Sequence, residues 1–356
     1  MYFSAIDALI KEPHAAAEAA AREKWNSIAK PLGSLGLLED VVVKIAALTG
    51  TCKVDISKRA VLVFCADNGI VEEGVTQTDS SVTMAVAQNL TRGSTSVCRM
   101  AKTANCDVIP VDAGMNTLPD FEGLFSHRAG DGTKNFAREP AMSLEQADFA
   151  VAAGIDIAEK MKKRGYKILA TGEMGIGNTT TSSAVCAALL GLPAVAVTGR
   201  GSGLSDSGLA KKIAVIENGI KRYIPNDKIS NSELAITALS CLGGYDIAEM
   251  AGVFIGGAIH RIPVLVDGFI SSVAALVATK LCPKCAVAIF PSHVSSEPAG
   301  QLVLDALGFN PLITAGMRLG EGTGAVAALP LLDMALAVYN SSSSFDELGI
   351  DRYKPQ

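Results

Sequence analysis

The chain has 356 residues, 49% of them hydrophobic and only 5% aromatic, with 34 glycines and a formal net charge of −5. That length allows one large domain or two modest ones. A core poor in aromatics must be built from Ala, Val, Ile and Leu, which suits an α/β layer fold with strands buried on both faces. The 31 basic and 36 acidic residues are well mixed, so no basic stripe supplies the electrostatic footprint of nucleic-acid binding.

A mean hydropathy of +0.32 raises the question of a membrane. The apolar stretches 183–199 and 263–281 are interrupted by Gly191 and Pro193, and by Asp267 and Lys280. Neither supplies the roughly 20 uninterrupted apolar residues of a span. Residues 1–11 carry Asp7 and no basic segment ahead of an apolar run. No signal peptide is read there, and the expected location is the cytoplasm with no membrane partner. The eight cysteines sit mostly inside apolar strings and read as reduced core residues. Cys282-Pro283-Lys284-Cys285 lacks the second pair or nearby histidine that a structural zinc site needs, and no metal is expected.

In chain order, residues 4–29 are Ala-rich and helical in pattern, and 37–48 read as a further helix. Short β-branched runs at 60–66, 108–111, 167–170, 194–197, 264–266 and 286–290 read as strands. Between them, 80–92, 179–190, 208–223, 232–242 and 245–259 read as helices, and 323–338 is the last long one. Strands separated by helix-length connections argue for βαβ crossovers and a parallel sheet. The N-terminal helix has no strand partner, so 1–29 and 331–356 are expected to form a small helical subdomain beside a large α/β domain of 30–330.

In open parallel sheets ligands bind outside the carboxyl ends of the strands, so the polar residues there carry the functional signal. Gly172-Glu173-Met174-Gly175-Ile176-Gly177-Asn178-Thr179-Thr180 is glycine-rich and leads into a helix. Such a turn lets backbone amides approach an anion at a helix N-terminus, or is a tight turn with no ligand. Thr180 stands where the third glycine of a dinucleotide fingerprint would fall, which weakens a nicotinamide-dependent dehydrogenase reading. Glu321, set between Gly320 and Gly322 ahead of an apolar helix, is either a poised general base or a helix-capping acid. Asp267 reads as a ribose or metal ligand or as a turn residue, and His293 as a structural histidine more readily than a base.

These motifs, with Lys30-Pro31-Leu32-Gly33-Ser34-Leu35-Gly36, Cys65-Ala66-Asp67-Asn68-Gly69, Thr91-Arg92-Gly93, Gly243-Gly244-Tyr245-Asp246, Val266-Asp267-Gly268-Phe269, Pro291-Ser292-His293 and Arg318-Leu319-Gly320-Glu321-Gly322, run in register along nearly the whole chain. In them the sequence resembles the nicotinate-nucleotide–dimethylbenzimidazole phosphoribosyltransferase family. The resemblance implies a Rossmann-like sheet, a helical subdomain from both termini, and a dimer, either a homodimer or a heterodimer with a paralogous subunit. It implies small-molecule substrates, nicotinate mononucleotide and an aromatic base, and no cofactor. By the same resemblance Glu321 is the catalytic base and Glu173 a second acid. Gly175, Gly177, Asn178 and Thr179 hold the phosphate with Ser292 and Lys212, the lysine reaching across the dimer. Met174 and Leu319 pack the incoming ring.

Departures from the family cluster at the base. Thr78 and Val86 stand where benzimidazole-using members carry Ser and Gln, with Met84 on the same helix, and Asn68 replaces a His. An apolar Val86 removes a partner for a ring nitrogen and suits the branch that attaches phenol or p-cresol. A non-catalytic or partner-dependent subunit is the alternative reading.

Overall fold

The computed structural model describes residues 3–227 and 229–353. Six strands form one all-parallel sheet: β1 Arg59–Ala66, β2 Asp107–Gly114, β3 Phe125–Ser126, β4 Ile168–Met174, β5 Val264–Val266 and β6 Ile289–Pro291. Their order is β3-β2-β1-β4-β5-β6, so the expected α/β parallel-sheet fold is the one observed. Every residue of β1 is buried, as a central strand covered by helices on both faces requires. The chain builds outward from β1 on one side, then crosses to β4 and builds outward on the other. The topological switch point therefore lies between β1 and β4, where such sheets open a crevice at their carboxyl ends.

Two glycines let two helices pack closely on each other. Helix Leu144–Lys163 lies on helix Tyr245–Ile259 so tightly that a Cβ on Gly154 would sit 1.9 Å from the Glu249 carbonyl oxygen. On the facing helix, a Cβ on Gly252 would meet the Val151 carbonyl oxygen at 2.1 Å. Neither partner tolerates a side chain there. Helix Leu144–Lys163 starts on a capping box in which Ser143 and Gln146 satisfy each other's backbone N–H groups.

At the chain ends, Trp25 packs on Tyr339 with ring centroids 4.9 Å apart, and Ile28 bridges to Ser344. Helix Thr323–Ser341 runs through Pro330 without interruption, so residue 330 falls inside a helix. Residues 1, 2 and 354–356 of the expected terminal unit lie outside the described residues.

Three local expectations need correction. Residues 194–197 form a short helix, Ala194–Val197, because Pro193 sets its entry and β4 already pairs directly with β5. The strand expected over 286–290 begins only at Ile289, since Pro283–Ala288 winds as a 3-10 helix. The N-terminal helical pattern divides into Phe3–Leu9 and Ala15–Ser27 around Pro13, which lacks the N–H an interior position needs.

Both apolar stretches weighed as spans lie largely inside the protein, in the buried helices Asn178–Leu190 and Phe269–Leu281. Among the described residues one helix, Thr323–Ser341, is long and apolar enough to cross a membrane, and half of it is buried in the protein. Cys282 and Cys285 are buried core thiols. Burial pushes Cys282 up to about 12 and Cys285 well above the usual thiol range.

Candidate active site at the carboxyl ends of the strands

A cleft of about 1090 Å³, counting its open mouth, lies where β4 and β5 end, beside His293 just beyond β6. Strand β4 runs further than its β-branched core suggested, to Met174, so Glu173 is held by the sheet itself. Its side chain is only 8% exposed. Asn178, first residue of helix Asn178–Leu190, donates one amide to both Glu173 Oε2 and, at 3.0 Å, Asp246 Oδ2. Burial, then the negative charges of Asp246, Asp267 and Glu321, push the Glu173 carboxyl up to about 8 despite the Asn178 hydrogen bond. Burial likewise raises Asp246 to about 6. Glu173 is therefore mostly a neutral acid at pH 7 and can donate a hydrogen bond.

Glu321 stands opposite in an unusual backbone. Gly320, Glu321 and Gly322 have φ of 90°, 59° and 87° in succession. A left-handed conformation costs a non-glycine residue about 1–2 kcal/mol and persists only where surroundings fix it. Several contacts do so here. The Glu321 N–H donates to the Glu173 carbonyl oxygen at 3.3 Å, and Glu321 Oε2 accepts the Val97 N–H at 3.1 Å. The loop also lies directly on Gly172, where a Cβ would fall 2.5 Å from the Glu321 carbonyl oxygen. Val97 lies in the first turn of helix Ser96–Thr103, so its N–H is one that the helix itself leaves without a partner.

The other wall of the cleft suits an anion. Gly175, Gly177, Asn178 and Thr179 line it at a helix N-terminus whose first N–H groups lack intrahelical partners. Lys212 is 1% exposed, with Nζ 2.8 Å from Thr179 Oγ1. Burial lowers it to about 8, against the opposing pull of Glu297. The expectation that Lys212 reaches across a dimer is corrected here: helix Asp206–Tyr223 packs on helix Asn178–Leu190 and puts the lysine in its own chain's cleft.

Met174, Leu319, Asp267 and both glutamates also line the cleft, so most residues singled out in the sequence converge on it. Asp267 does so with its oxygens already engaged: Oδ1 accepts the N–H groups of Gly324 and Ala325, and Oδ2 that of Gly322. Ser292 is fully buried, its hydroxyl donating to the Val266 carbonyl oxygen at 2.5 Å, and it is not on the cleft wall. Thr78 is exposed, while Met84 and Val86 are half-buried on helix Ser81–Thr91 and outside the cleft wall. That helix does touch the phosphate loop, since the Ile176 N–H donates to Thr83 Oγ1 at 3.2 Å.

Arg200, Arg318 and Glu297 line the cleft and were not read as site residues from the sequence. Arg318 opens the Arg318–Gly322 motif and Arg200 stands between Gly199 and Gly201, so a basic side chain beside glycines was the available signal. Glu297 gave none, because its nearest cleft neighbour in the chain is Ser295 and it meets Gly199 only through the fold.

The family model described as phosphoribosyltransferase matches residues 10–350. The chain is 44% identical over 337 residues to the nicotinate-nucleotide–dimethylbenzimidazole phosphoribosyltransferase of Acetivibrio thermocellus, covering 94% of each. It is 41% identical over 346 residues to the enzyme of the same name from Ruminiclostridium cellulolyticum, covering 97% of each. Among solved structures it is similar to CobT from Thermus thermophilus, with a TM-score of 0.88 and 37% identity, over 95% of this chain and 100% of that one.

Proposed function

The chain belongs to the phosphoribosyltransferase family, and from that premise we propose that it moves ribose 5-phosphate from nicotinate mononucleotide to the aromatic lower-ligand base of a cobamide, dimethylbenzimidazole or a phenol. The reading is carried by one juxtaposition: a buried lysine at a helix N-terminus on one wall of a cleft, and two acids at its other end. The first suits a phosphate, the second the proton that the incoming base must lose.

In this scheme the amides of 175–179 and Lys212 hold the 5′-phosphate. The bond between C1′ and the pyridinium nitrogen breaks with its electron pair going to nitrogen, so nicotinate leaves with a neutral ring nitrogen. The incoming nitrogen or phenolic oxygen bonds to C1′ from the opposite face, which converts a β-linked ribose to an α-linked product. Glu321 takes the proton released by the nucleophile, a contribution of about 10²–10⁴-fold for general bases. Glu173, neutral below about pH 8, acts as a hydrogen-bond donor within the same space. Met174 and Leu319 supply apolar surface for the incoming ring, and alignment of the two rings contributes much of the rest.

Val86 lies outside the cleft wall, so what supports a phenolic base is the departure in sequence: an apolar side chain at 86 gives a second ring nitrogen no partner. The assembly that goes with this reading is a dimer of the chain with itself or with a paralogous subunit. The deciding assay supplies nicotinate mononucleotide with dimethylbenzimidazole or, separately, phenol to the purified chain. An α-linked ribotide from either, lost in Glu321→Gln, is the expected result. Ligand binding without turnover, unchanged in Glu321→Gln and restored by no partner, would sink the catalytic reading.

A further inference from the structure

We propose that Asp267 is the positioning residue of Glu321, holding the loop that carries it, and takes no part in holding substrate. The proposal rests on the reading of Glu321 as the base. Asp267 follows β5 and is 3% exposed. Its carboxylate gathers the N–H groups of Gly324 at 2.7 Å, Ala325 at 3.0 Å and Gly322 at 3.2 Å. These are the first N–H groups of helix Thr323–Ser341 and of the residue just before it, which no intrahelical partner satisfies. A side chain from a distant strand end thus caps the helix, and Glu321 lies immediately upstream of the capped turn.

The clamp is itself anchored. The Asp267 N–H donates to Ser271 Oγ at 3.2 Å, and Ser271 bonds Thr171 of β4, two residues from Glu173. On the other side the helix start lies flat on an imidazole: a Cβ at Gly324 would fall 1.8 Å from His293 Nδ1. Strands β4, β5 and β6 are tied through Asp267 to one turn of backbone. That turn keeps three consecutive residues left-handed, Glu321 among them. A carboxylate that has accepted three N–H groups has little capacity left for ribose hydroxyls. Its geometry serves the loop.

Asp267→Asn tests this, because one oxygen becomes an NH₂ group that faces backbone N–H groups and cannot accept from them. Displacement of a catalytic group by about 1 Å costs on the order of a hundredfold, so kcat should fall by about that factor. The Kd for nicotinate mononucleotide, measured by calorimetry, should not move. Placed in a Glu321→Gln background, Asp267→Asn should cost nothing further, since residues that act as a unit are not additive. Multiplying losses, or a weakened Kd, would overturn the positioning role alone. Full turnover by Glu321→Gln would overturn the base reading, and the positioning role with it. Should the Asn variant not give folded protein, Asp267→Ser, which loses the carboxylate but brings in no NH₂ group to face the backbone N–H groups, enters the same cycle.

Discussion

Replacing Glu173 by Gln should change how stability depends on pH, by an amount that follows from the surroundings of Glu173. The side chain is buried at the end of β4, and burial together with Asp246, Asp267 and Glu321 pushes its carboxyl from 4.5 up to about 8. The folded protein therefore keeps this proton over a range in which the unfolded chain has lost it. Stability from this group is fully present below pH 4.5 and is lost as pH rises through about 8. At about 1.4 kcal/mol per pH unit the loss amounts to about 3–5 kcal/mol across that span. Gln keeps the shape and an acceptor for Asn178 but has no proton to lose, so its curve lacks this component. Asp246 and Glu249 are buried acids too, raised by burial, yet they titrate in both proteins and cancel to first order in the difference. Urea denaturation of both proteins between about pH 5 and pH 8, at fixed ionic strength, should show Glu173→Gln gaining on the wild type at each step. Parallel curves would mean that Glu173 ionises as an ordinary carboxylate, and its role as a neutral donor would fall with that result.

Lys212→Met removes a buried ammonium from the phosphate wall. With about 1.5–3 kcal/mol for a charged hydrogen bond, the Kd for nicotinate mononucleotide should rise roughly tenfold to a hundredfold, read by calorimetry. Gly322→Ala forces a Cβ to 2.5 Å from Val61 Cγ2 at a φ of 87°. It should lower stability by about 1–3 kcal/mol in urea and turnover more than substrate affinity. Val86→Gln restores an amide on helix Ser81–Thr91, and a gained hydrogen bond of about 1 kcal/mol should shift kcat/KM toward dimethylbenzimidazole over phenol by roughly fivefold. An unchanged ratio would mean that this helix does not reach the base.

What the sequence revealed, and what it hid, divides along the range of the forces involved. Strands β1, β2, β4 and β5 were legible because a parallel strand buried on both faces must be a run of apolar residues. The run at 194–197 has the same composition and is helical, since four residues after a proline cannot compete with β4–β5 pairing between distant parts of the chain. The glycine-flanked loops at 175–179 and 320–322 showed themselves by their spacing, and the fold does bring them to one cleft. Asp267 was ambiguous for a specific reason: the N–H groups it accepts belong to residues 322, 324 and 325, and no local pattern records a cap supplied from a distant strand. The neutral state of Glu173 was equally invisible, because it depends first on burial of the carboxyl by the fold and then on Asp246, Asp267 and Glu321 meeting in space. The two facts belong together. The same parallel sheet that aligns strand ends to make a cleft also crowds their acids, and each crowded acid must find N–H groups or keep its proton. Burial raises both carboxyls, but Asp267 gathers three backbone N–H groups and anchors the Glu321 loop, while Glu173 keeps its proton near neutral pH and becomes a donor. The difference between two buried carboxyls at the ends of adjacent strands is set by which of them receives the backbone N–H groups of a helix start: Asp267 takes those of 322, 324 and 325, whereas Glu173 meets only the Asn178 side chain of its helix.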